Sequence, residues 1–412
     1  MTQLLIETGI KIGIILGGMM TAAAYFVLLE RRMAAWVQDR IGPNRVGIPG
    51  TNVRLFGLGQ PLADGIKFIL KEEYTPAHVN VALYAIAPIV ILTAALTTFA
   101  VIPMGSFIPQ FKVEKVVDSG HPIEMIAAPG LDVGLILIFA LSSIAVYGVI
   151  LGGWSSNNKY SFLGGLRSSA QLIAYELPLS LGILGVVLAA GSLNIDMITK
   201  AQAEQGWYAL LQPLGFVVFL IAAFAEASRL PFDLPEAEQE LIGGYHTEYA
   251  GMKLLLFLVA EFLHMIAASF LIVQLFLGGW HLPFLTAEMD DGKITWLQAG
   301  LRIAILQGKI FCVIVFFMLV RWSWPRFRFD QLMSLAWKIM LPLGILNLVA
   351  VAVVEELRHG KSNTDYTWTA IAIVVGWVVL IVGWLGVAFA NPLVTDNRPR
   401  RDLSTAEVDA QI

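Results

Sequence analysis

Nine long runs of apolar residues, separated by more polar stretches of varying length, make up about half of the chain. A helix of roughly 20 apolar residues is long enough to cross the ~30 Å hydrocarbon core of a membrane. Transmembrane β-strands would instead appear as short segments of alternating polarity. The pattern therefore predicts an all-α polytopic membrane protein with about nine transmembrane helices. We place these spans near 4–29, 79–102, 131–151, 171–190, 208–228, 251–277, 303–320, 335–354 and 368–390.

Composition supports the same class and narrows the chemistry. The 412 residues are 57% hydrophobic and only 14% charged, whereas soluble domains have about 25% charged residues. The single cysteine, Cys312, excludes an intrachain disulfide, and we interpret it as a small buried hydrophobe. The sequence has no Cys-x-x-Cys motif and no suitably spaced histidine pair, so no metal site is expected in this chain.

Positive charge is distributed unevenly between the predicted loops. Most lysines and arginines lie after the first, third, fifth and seventh spans and in the C-terminal tail. Because such loops face the cytoplasm, we predict an outside N-terminus and a cytoplasmic C-terminus. The predicted cytoplasmic loops are 30–78, 152–170, 229–250 and 321–337.

The stretch 224–264 combines two apolar runs with an acidic loop between them. The loop carries Asp233, Glu236, Glu238, Glu240 and Glu248. Glu226 and Glu261 lie inside the flanking apolar runs. A carboxylate in hydrocarbon costs a few kcal/mol or more, and such residues usually face a bundle interior or a water-filled cavity. We interpret this stretch as the mouth of a proton path.

Two further charged residues lie inside predicted spans. Glu176 follows Arg167 by nine residues, roughly 13 Å along a helix, which places it on the same side of the membrane as Glu226 and Glu261. Lys309 is either an ion-pair partner of these acids or a member of a proton relay. His264 shares a helix face with Glu261, and an interior histidine with satisfied hydrogen bonds is favoured over a relay.

Two cytoplasmic segments could contact a ligand or a partner. In 62–72, apolar residues recur on one helical face and charged residues on the other, which indicates either a helix at the membrane surface near an amphipathic ligand or a solvated connector. The loop RWSWPRFRFDQ at 321–331 is either an interfacial belt or a docking face for an acidic partner. Because it joins two spans directly, nucleic acid is not an expected partner.

Several long motifs resemble one membrane-protein family. They are ERR at 30–32, DRIGPNRVG at 39–47, LADGIKFILKE at 62–72, GWSSNNKYS at 153–161, AYELP at 174–178, RLPFDLPEAEQELIGGYHTEY at 229–249 and PRFRFDQLMSLAWK at 325–338. In this order and composition they are similar to the H-type membrane subunit of respiratory NADH:quinone oxidoreductase, complex I. The mitochondrial counterpart in that family is NADH dehydrogenase subunit 1.

The resemblance implies an eight-helix membrane domain over 1–356, in the bacterial plasma membrane. Residues 357–412 form a C-terminal extension with one more transmembrane helix and a polar tail. The implied partners are the soluble quinone-site subunits, the adjacent membrane-arm subunits and the lipid bilayer. Quinone is the implied substrate, while flavin and iron–sulfur clusters belong to partner subunits and no cofactor is bound by this chain alone.

The resemblance also assigns residues to two sites and leaves the chemistry of electron transfer to other chains. Its quinone chamber would include Glu30, Arg31, Arg40, Asp64, Arg229, Asp233, Glu236, Glu238 and Glu240. Its proton path would include Glu176, Glu226 and Glu261, with Lys309 nearby. The chain would be part of an enzyme without catalytic residues of its own.

Two other functions are compatible with parts of the sequence. A homologous membrane subunit of a hydrogenase complex would share the acidic spans, although GPNRVG and PFDLPEAEQEL argue against it. A stand-alone cation or proton transporter would need a substrate site within one chain, often at broken helices in repeated halves.

Overall fold

The computed structural model describes residues 2–47, 54, 56–109, 112–113, 117–118, 123–234, 242–283, 286, 295–358 and 366–390. Within these ranges the chain is almost entirely helical. Eight of the described helices are long and apolar enough to cross a membrane. The protein is therefore a multi-pass helical membrane protein, as the sequence predicts.

The helices in chain order are α1 (Thr2–Val37), α2 (Gln60–Leu70), α3 (Val81–Thr98), α4 (Gly134–Ser155), α5 (Lys159–Ala190), α6 (Ile195–Gln205), α7 (Tyr208–Leu211), α8 (Pro213–Glu226), α9 (Gly251–Phe276), α10 (Trp296–Ser323), α11 (Phe329–Ser334), α12 (Leu341–Arg358) and α13 (Tyr366–Ala390). A π-helical turn, Leu335–Met340, joins α11 to α12. The two therefore form one continuous helix over Phe329–Arg358.

The predicted fifth span, 208–228, is broken in the structure. Gln212 is non-helical, with φ −132° and ψ 61°, and it separates α7 from α8. Pro213 follows as the first residue of α8, where its missing N–H costs nothing. The remaining apolar helix has 14 residues, which is about 21 Å at 1.5 Å per residue. This segment is therefore shorter than a full membrane span.

Polar side chains define where several helices begin. The side chain of Asn80 accepts a hydrogen bond from Leu83 N at the start of α3, and Asn158 does the same for Tyr160 N at the start of α5. Thr295 and Gln298 form a reciprocal capping box at the start of α10. These bonds satisfy N–H groups that the first helical turn leaves without partners.

The helices enclose one large apolar core and one smaller cluster. The large core is built mainly from α5, α8, α9 and α10. The smaller cluster lies between α3, α4 and α9 and includes Tyr84, Tyr245, Tyr249 and Phe257. Tyr84 and Tyr249 stack with ring centroids 4.1 Å apart. Cys312 is exposed on α10, so its interpretation as a buried residue was wrong.

Small residues let α4 and α5 approach closely. A Cβ added to Gly153 would lie 3.1 Å from Gly165 Cα and 2.8 Å from Ser161 O. Such contacts between small residues are typical of helix pairs in membranes. They bring together the faces of α4 and α5 that carry Ser143 and Glu176.

The two ends of the bundle differ. One end, called here the α2 end, carries α2 and the segment between α8 and α9. The opposite end carries β1 (Phe107–Ile108), β2 (Lys112–Val113), β3 (Val117–Asp118) and β4 (Ile123–Glu124), which pair as β1–β4 and β2–β3, both antiparallel. Each of these strands has two residues, and all four lie in the connection between α3 and α4.

Candidate functional site

A large open cavity of about 880 Å³ lies between α1, α2 and α9 at the α2 end. Along α1, its lining residues change from apolar, such as Met20 and Val27, to charged, at Glu30 and Arg31. Leu258 and Phe262 of α9 extend the apolar wall. A cavity of this size and polarity fits a ligand with a polar head and an apolar tail.

Five of the residues assigned to the quinone chamber line this one cavity. They come from α1, the segment after it, α2 and the segment after α8, and they are Glu30, Arg31, Arg40, Asp64 and Arg229. The structure thus brings together residues that are up to 199 positions apart in the sequence.

Two ion-pair systems of different burial border the cavity. Glu30 is buried and accepts hydrogen bonds from Arg229, at 3.3 Å to Oε2, and from Arg321. Glu30 therefore pairs with arginines that are distant in the sequence, and not with the adjacent Arg31 and Arg32. Arg31 instead donates to Asp64 at 2.7 Å, in a pair that is accessible from outside.

Helix α2 has opposite faces with different environments. Gln60, Asp64 and Phe68 line the cavity, whereas Leu62 and Ile69 are exposed on the other side. None of its residues is buried. This arrangement agrees with the amphipathic helix that the sequence predicts and makes α2 one wall of the cavity.

Of the remaining predicted chamber residues, the structure describes Asp233 alone. Asp233 is buried outside the cavity lining and accepts a hydrogen bond from Arg326 Nη2 at 3.1 Å. This pair links the segment after α8 to the segment after α10. Glu236, Glu238 and Glu240 lie outside the described residues.

A second, much smaller cavity of about 50 Å³ lies between α4, α5, α8 and α9. Glu176, Glu226 and Glu261, the three acids assigned to the proton path, all line it, together with His264. A polar space of this size holds a few water molecules. The structure therefore brings these acids, which come from three helices, around one common polar space.

Two adjacent serines on α4 contact two of these acids. Ser142 donates to Glu226 Oε1 and Ser143 donates to Glu176 Oε1. Sequence reasoning missed both, because a serine in an apolar run usually bonds its own backbone. Ser143 also lies 3.0 Å from Phe139 O, so it makes this ordinary contact as well.

Glu261 borders both cavities. Its Oε1 accepts a hydrogen bond from Tyr245 Oη at 3.3 Å. Tyr245 belongs to the 3₁₀ turn Gly244–His246, which packs against α4 and α5. One carboxylate thus connects the large amphipathic cavity with the small acidic one, and a tyrosine from the loop fixes its position.

Tyr249, outside the membrane spans, supports the same loop. It lies 3.3 Å from Ser155 Oγ and donates to Tyr84 O at 3.2 Å. Burial raises the pKa of Tyr249 to about 12, so its hydroxyl stays protonated near neutral pH. Its role here is to anchor the loop against α3 and α4.

The structure does not bring Lys309 together with the three acids. Its Nζ donates to the carbonyls of Leu277, Gly279 and His281, at 2.6, 3.0 and 2.7 Å. These carbonyls follow the C-terminus of α9, at the end of the bundle opposite α2. A lysine at this position satisfies carbonyls that the helix end leaves unpaired.

Among the described residues, no cluster of three or more His, Cys, Asp or Glu side chains could hold a metal ion. The fold and the two cavities together define a helical membrane protein in which a large amphipathic cavity adjoins a group of partly buried carboxyl groups.

Comparison with known proteins places this arrangement in a family. A family model described as NADH dehydrogenase matches residues 10–352. The chain therefore belongs to the NADH dehydrogenase family, which confirms the resemblance seen in the motifs.

Individual relatives agree over most of both chains. The chain is 42% identical to an H-type subunit of NADH-quinone oxidoreductase from Cytophaga hutchinsonii, over 84% of this chain and 96% of the relative. It is 42% identical to NADH-quinone oxidoreductase subunit 8 of Rhodothermus marinus, over 82% and 94%. With the H-type subunit of NADH-quinone oxidoreductase from Leptospira biflexa it shares 45% identity, over 83% and 93%.

Proposed function

We propose that this chain is a membrane-arm subunit of a proton-translocating NADH:quinone oxidoreductase, in which it binds quinone and passes charge to a proton path. The family membership and the names of the relatives support the complex. The shared position of Glu261 on both cavities supports the coupling role.

In this proposal, the large cavity binds quinone as substrate. The head group lies near Glu30, Arg31, Arg40, Asp64 and Arg229, and the apolar tail lies along α1 and α9. Flavin and iron–sulfur clusters belong to partner subunits, and the soluble quinone-site subunits cover the α2 end. Asp233, Glu236, Glu238 and Glu240 belong to the segment that meets those partners.

Quinone reduction consumes electrons and protons, so it changes the charge in the large cavity. Glu261 is the lining carboxylate that also reaches the small cavity, and it transmits this change to Glu226 and Glu176. Ser142 and Ser143 hold those two carboxylates in place. Lys309 has a structural role here, because its hydrogen bonds go to backbone carbonyls.

The topology that accompanies this function has nine spans, counting the broken α7–α8 segment, in a bacterial plasma membrane. The α2 end is cytoplasmic, which agrees with its Lys and Arg content. The N-terminus is outside and the C-terminus is cytoplasmic. Residues 1–356 form the family domain, and 357–412 add α13 and the tail.

Glu261→Gln tests the coupling role in enzyme purified with its partner chains and reconstituted in liposomes. We expect electron transfer to continue at a reduced rate and the number of protons moved per electron to fall. Glu73→Gln is the control, because Glu73 is a half-exposed acid that pairs with Lys253. Wild-type quinone reduction and proton transport in Glu261→Gln would refute the coupling role.

Gly65→Leu tests the quinone chamber independently. Gly65 lines the large cavity, and nothing lies within 4 Å of an added Cβ, so this position is open to a larger side chain that takes up cavity space. We expect a higher KM for a short-chain quinone and little change in complex stability. Ala63→Leu, on α2 but outside the lining, serves as the matched control. Equal KM values in both variants would place quinone elsewhere.

A further inference from the structure

A pocket with both polar and apolar lining residues lies at the end of the bundle opposite α2, beneath α13. Its volume is about 40 Å³, and its lining comes from α5, α6, α7, α12 and α13, together with Gln212. It does not share residues with either cavity of the proposed quinone and proton sites.

Two buried amides point to the occupant of this pocket. Gln212 and Asn347 both line it and are 5% and 3% exposed. Within the described part of the chain, Gln212 Oε1 and Asn347 Nδ2 have no hydrogen-bond partner. Their other amide atoms are used, since Gln212 Nε2 donates to Gly185 O and Asn347 Oδ1 accepts from Gly215 N. One free acceptor and one free donor therefore remain.

These two atoms lie close to each other. An added Cβ at Gly185 would lie 2.7 Å from Gln212 Oε1 and 2.9 Å from Asn347 Nδ2. An unmade hydrogen bond on a buried polar atom costs about 1–3 kcal/mol. A water molecule both donates and accepts, and one water needs roughly 10–15 Å³ of such space.

The far side of the pocket is charged. Glu355 and Arg358 of α12 line it and form an ion pair with 3.6 Å between Oε1 and Nη1. Both side chains of this pair are largely shielded from the surroundings, with exposures of 26% for Glu355 and 13% for Arg358. The two amides inside the bundle and this carboxylate near the helix end therefore line the same pocket.

Helix α13 closes the pocket on its outer side. It packs on α7, α8 and α12 and contributes Trp368, Ala372 and Gly376 to the lining. A Cβ added to Gly376 would clash with Leu211 O and would lie 3.0 Å from Pro213 Cδ. The family match ends at 352, so this covering helix lies beyond it.

We propose that this pocket is a water-binding site, in which bound water bridges Gln212 Oε1 and Asn347 Nδ2 and extends toward Glu355, and that α13 seals it from lipid. Gln212 is also the non-helical residue at the break between α7 and α8. The water site is independent of the function assigned to the other two cavities.

A density map tests whether water occupies the pocket. The map must come from the intact protein, purified with the chains that accompany it, at a resolution that shows ordered water. We expect density within hydrogen-bond distance of both Gln212 Oε1 and Asn347 Nδ2. Gln274 is the internal control, because its amide atoms bond Thr199 and Pro103 directly. A direct bond between the two amides with no water density, or lipid density in the pocket, would overturn the proposal.

Two glycine variants of α13 test the seal. Gly376→Val forces α13 away from α7, whereas Gly386→Val is a matched control because nothing lies within 4 Å of its added Cβ. We expect Gly376→Val to lose the water density and to lower the unfolding temperature, and Gly386→Val to change neither. Unchanged water density in a Gly376→Val protein with displaced α13 would refute the sealing role.

Discussion

Glu30 and Arg229, 199 positions apart in the sequence, form a buried ion pair in the wall of the large cavity, with Arg229 Nη1 3.3 Å from Glu30 Oε2. Arg321 donates to the same carboxylate from α10. One acid thus joins α1, the segment after α8 and α10. Because charges at this depth are poorly solvated, each depends on its partners.

Glu30→Gln should therefore destabilise the protein strongly. It removes the carboxylate that Arg229 and Arg321 share, and losing one partner of a buried pair costs about 3–5 kcal/mol. Unfolding of the solubilised protein in denaturant measures the change.

Asp64→Asn is the matched control for that substitution. Asp64 lines the same cavity, but its partner Arg31 has a side chain that is 46% exposed. An exposed pair contributes about 0–1 kcal/mol. Similar losses of stability in the two variants would show that burial does not distinguish these ion pairs.

Ser142→Ala and Ser143→Ala should weaken proton transport more than quinone reduction. Each removes a hydrogen bond to a partly buried carboxyl group, Glu226 or Glu176, and such a bond contributes about 0.5–3 kcal/mol, more when the carboxyl group is charged. Protons moved per electron in reconstituted enzyme measure the effect. Ser180→Ala is the control, since Ser180 bonds only the backbone carbonyl of Glu176. An equal effect in all three variants would contradict a specific role for the α4 serines.

The spans were predictable because a long apolar run has few alternatives to a membrane helix. The buried acids were predictable for the same reason, since Glu176, Glu226 and Glu261 interrupt such runs. That these three line one small cavity required the packing of α5, α8 and α9. Their common site was therefore a reasonable expectation, but its geometry was not readable from the sequence.

Two features escaped sequence reasoning for identifiable reasons. The break at Gln212 was marked by the following proline, but the apolar residues on both sides suggested one continuous span. Lys309 was expected near carboxylates because a sequence shows which acidic side chains are available as partners. Its actual acceptors are three backbone carbonyls, which every residue carries and no pattern reveals.

The lowered pKa of His281 makes the free energy of unfolding depend on pH. Burial, together with Lys309 and Arg302, holds the pKa of His281 below its ordinary 6.5, while Thr286 opposes this shift through a hydrogen bond. The unfolded state therefore binds more protons below pH 6.5. The free energy of unfolding should rise with pH up to about 6.5, with no further contribution above it.

This dependence is measured by the unfolding temperatures of the solubilised protein at about pH 5.5 and about pH 7.5. These pH values lie about one unit either side of the ordinary histidine pKa of about 6.5. His281→Gln keeps a hydrogen-bonding side chain but cannot take up a proton, so it should reduce the difference between the two values. An unchanged difference would assign the pH dependence to other groups.

Gly164→Ala should disturb the loop that holds Tyr245. An added Cβ would lie 2.6 Å from Gly244 Cα and 2.8 Å from Tyr245 N, so the loop backbone has to move. Because Tyr245 donates to Glu261, we expect lower stability and less proton transport per electron. Gly300→Ala is the control, because its added Cβ meets open space and alanine favours a helix. Wild-type behaviour of Gly164→Ala would show that the loop adjusts without affecting Glu261.

Lys309→Met separates a structural lysine from a proton relay. Methionine keeps an unbranched stem but removes all three hydrogen bonds to the carbonyls after α9, so we expect a loss of about 1–3 kcal/mol in stability. Protons moved per electron by the remaining assembled enzyme should stay at the wild-type value. Lys338→Met, at an exposed position near α12, should change neither quantity. A lower proton ratio with unchanged stability would instead return Lys309 to the proton path, through a contact that forms only during turnover.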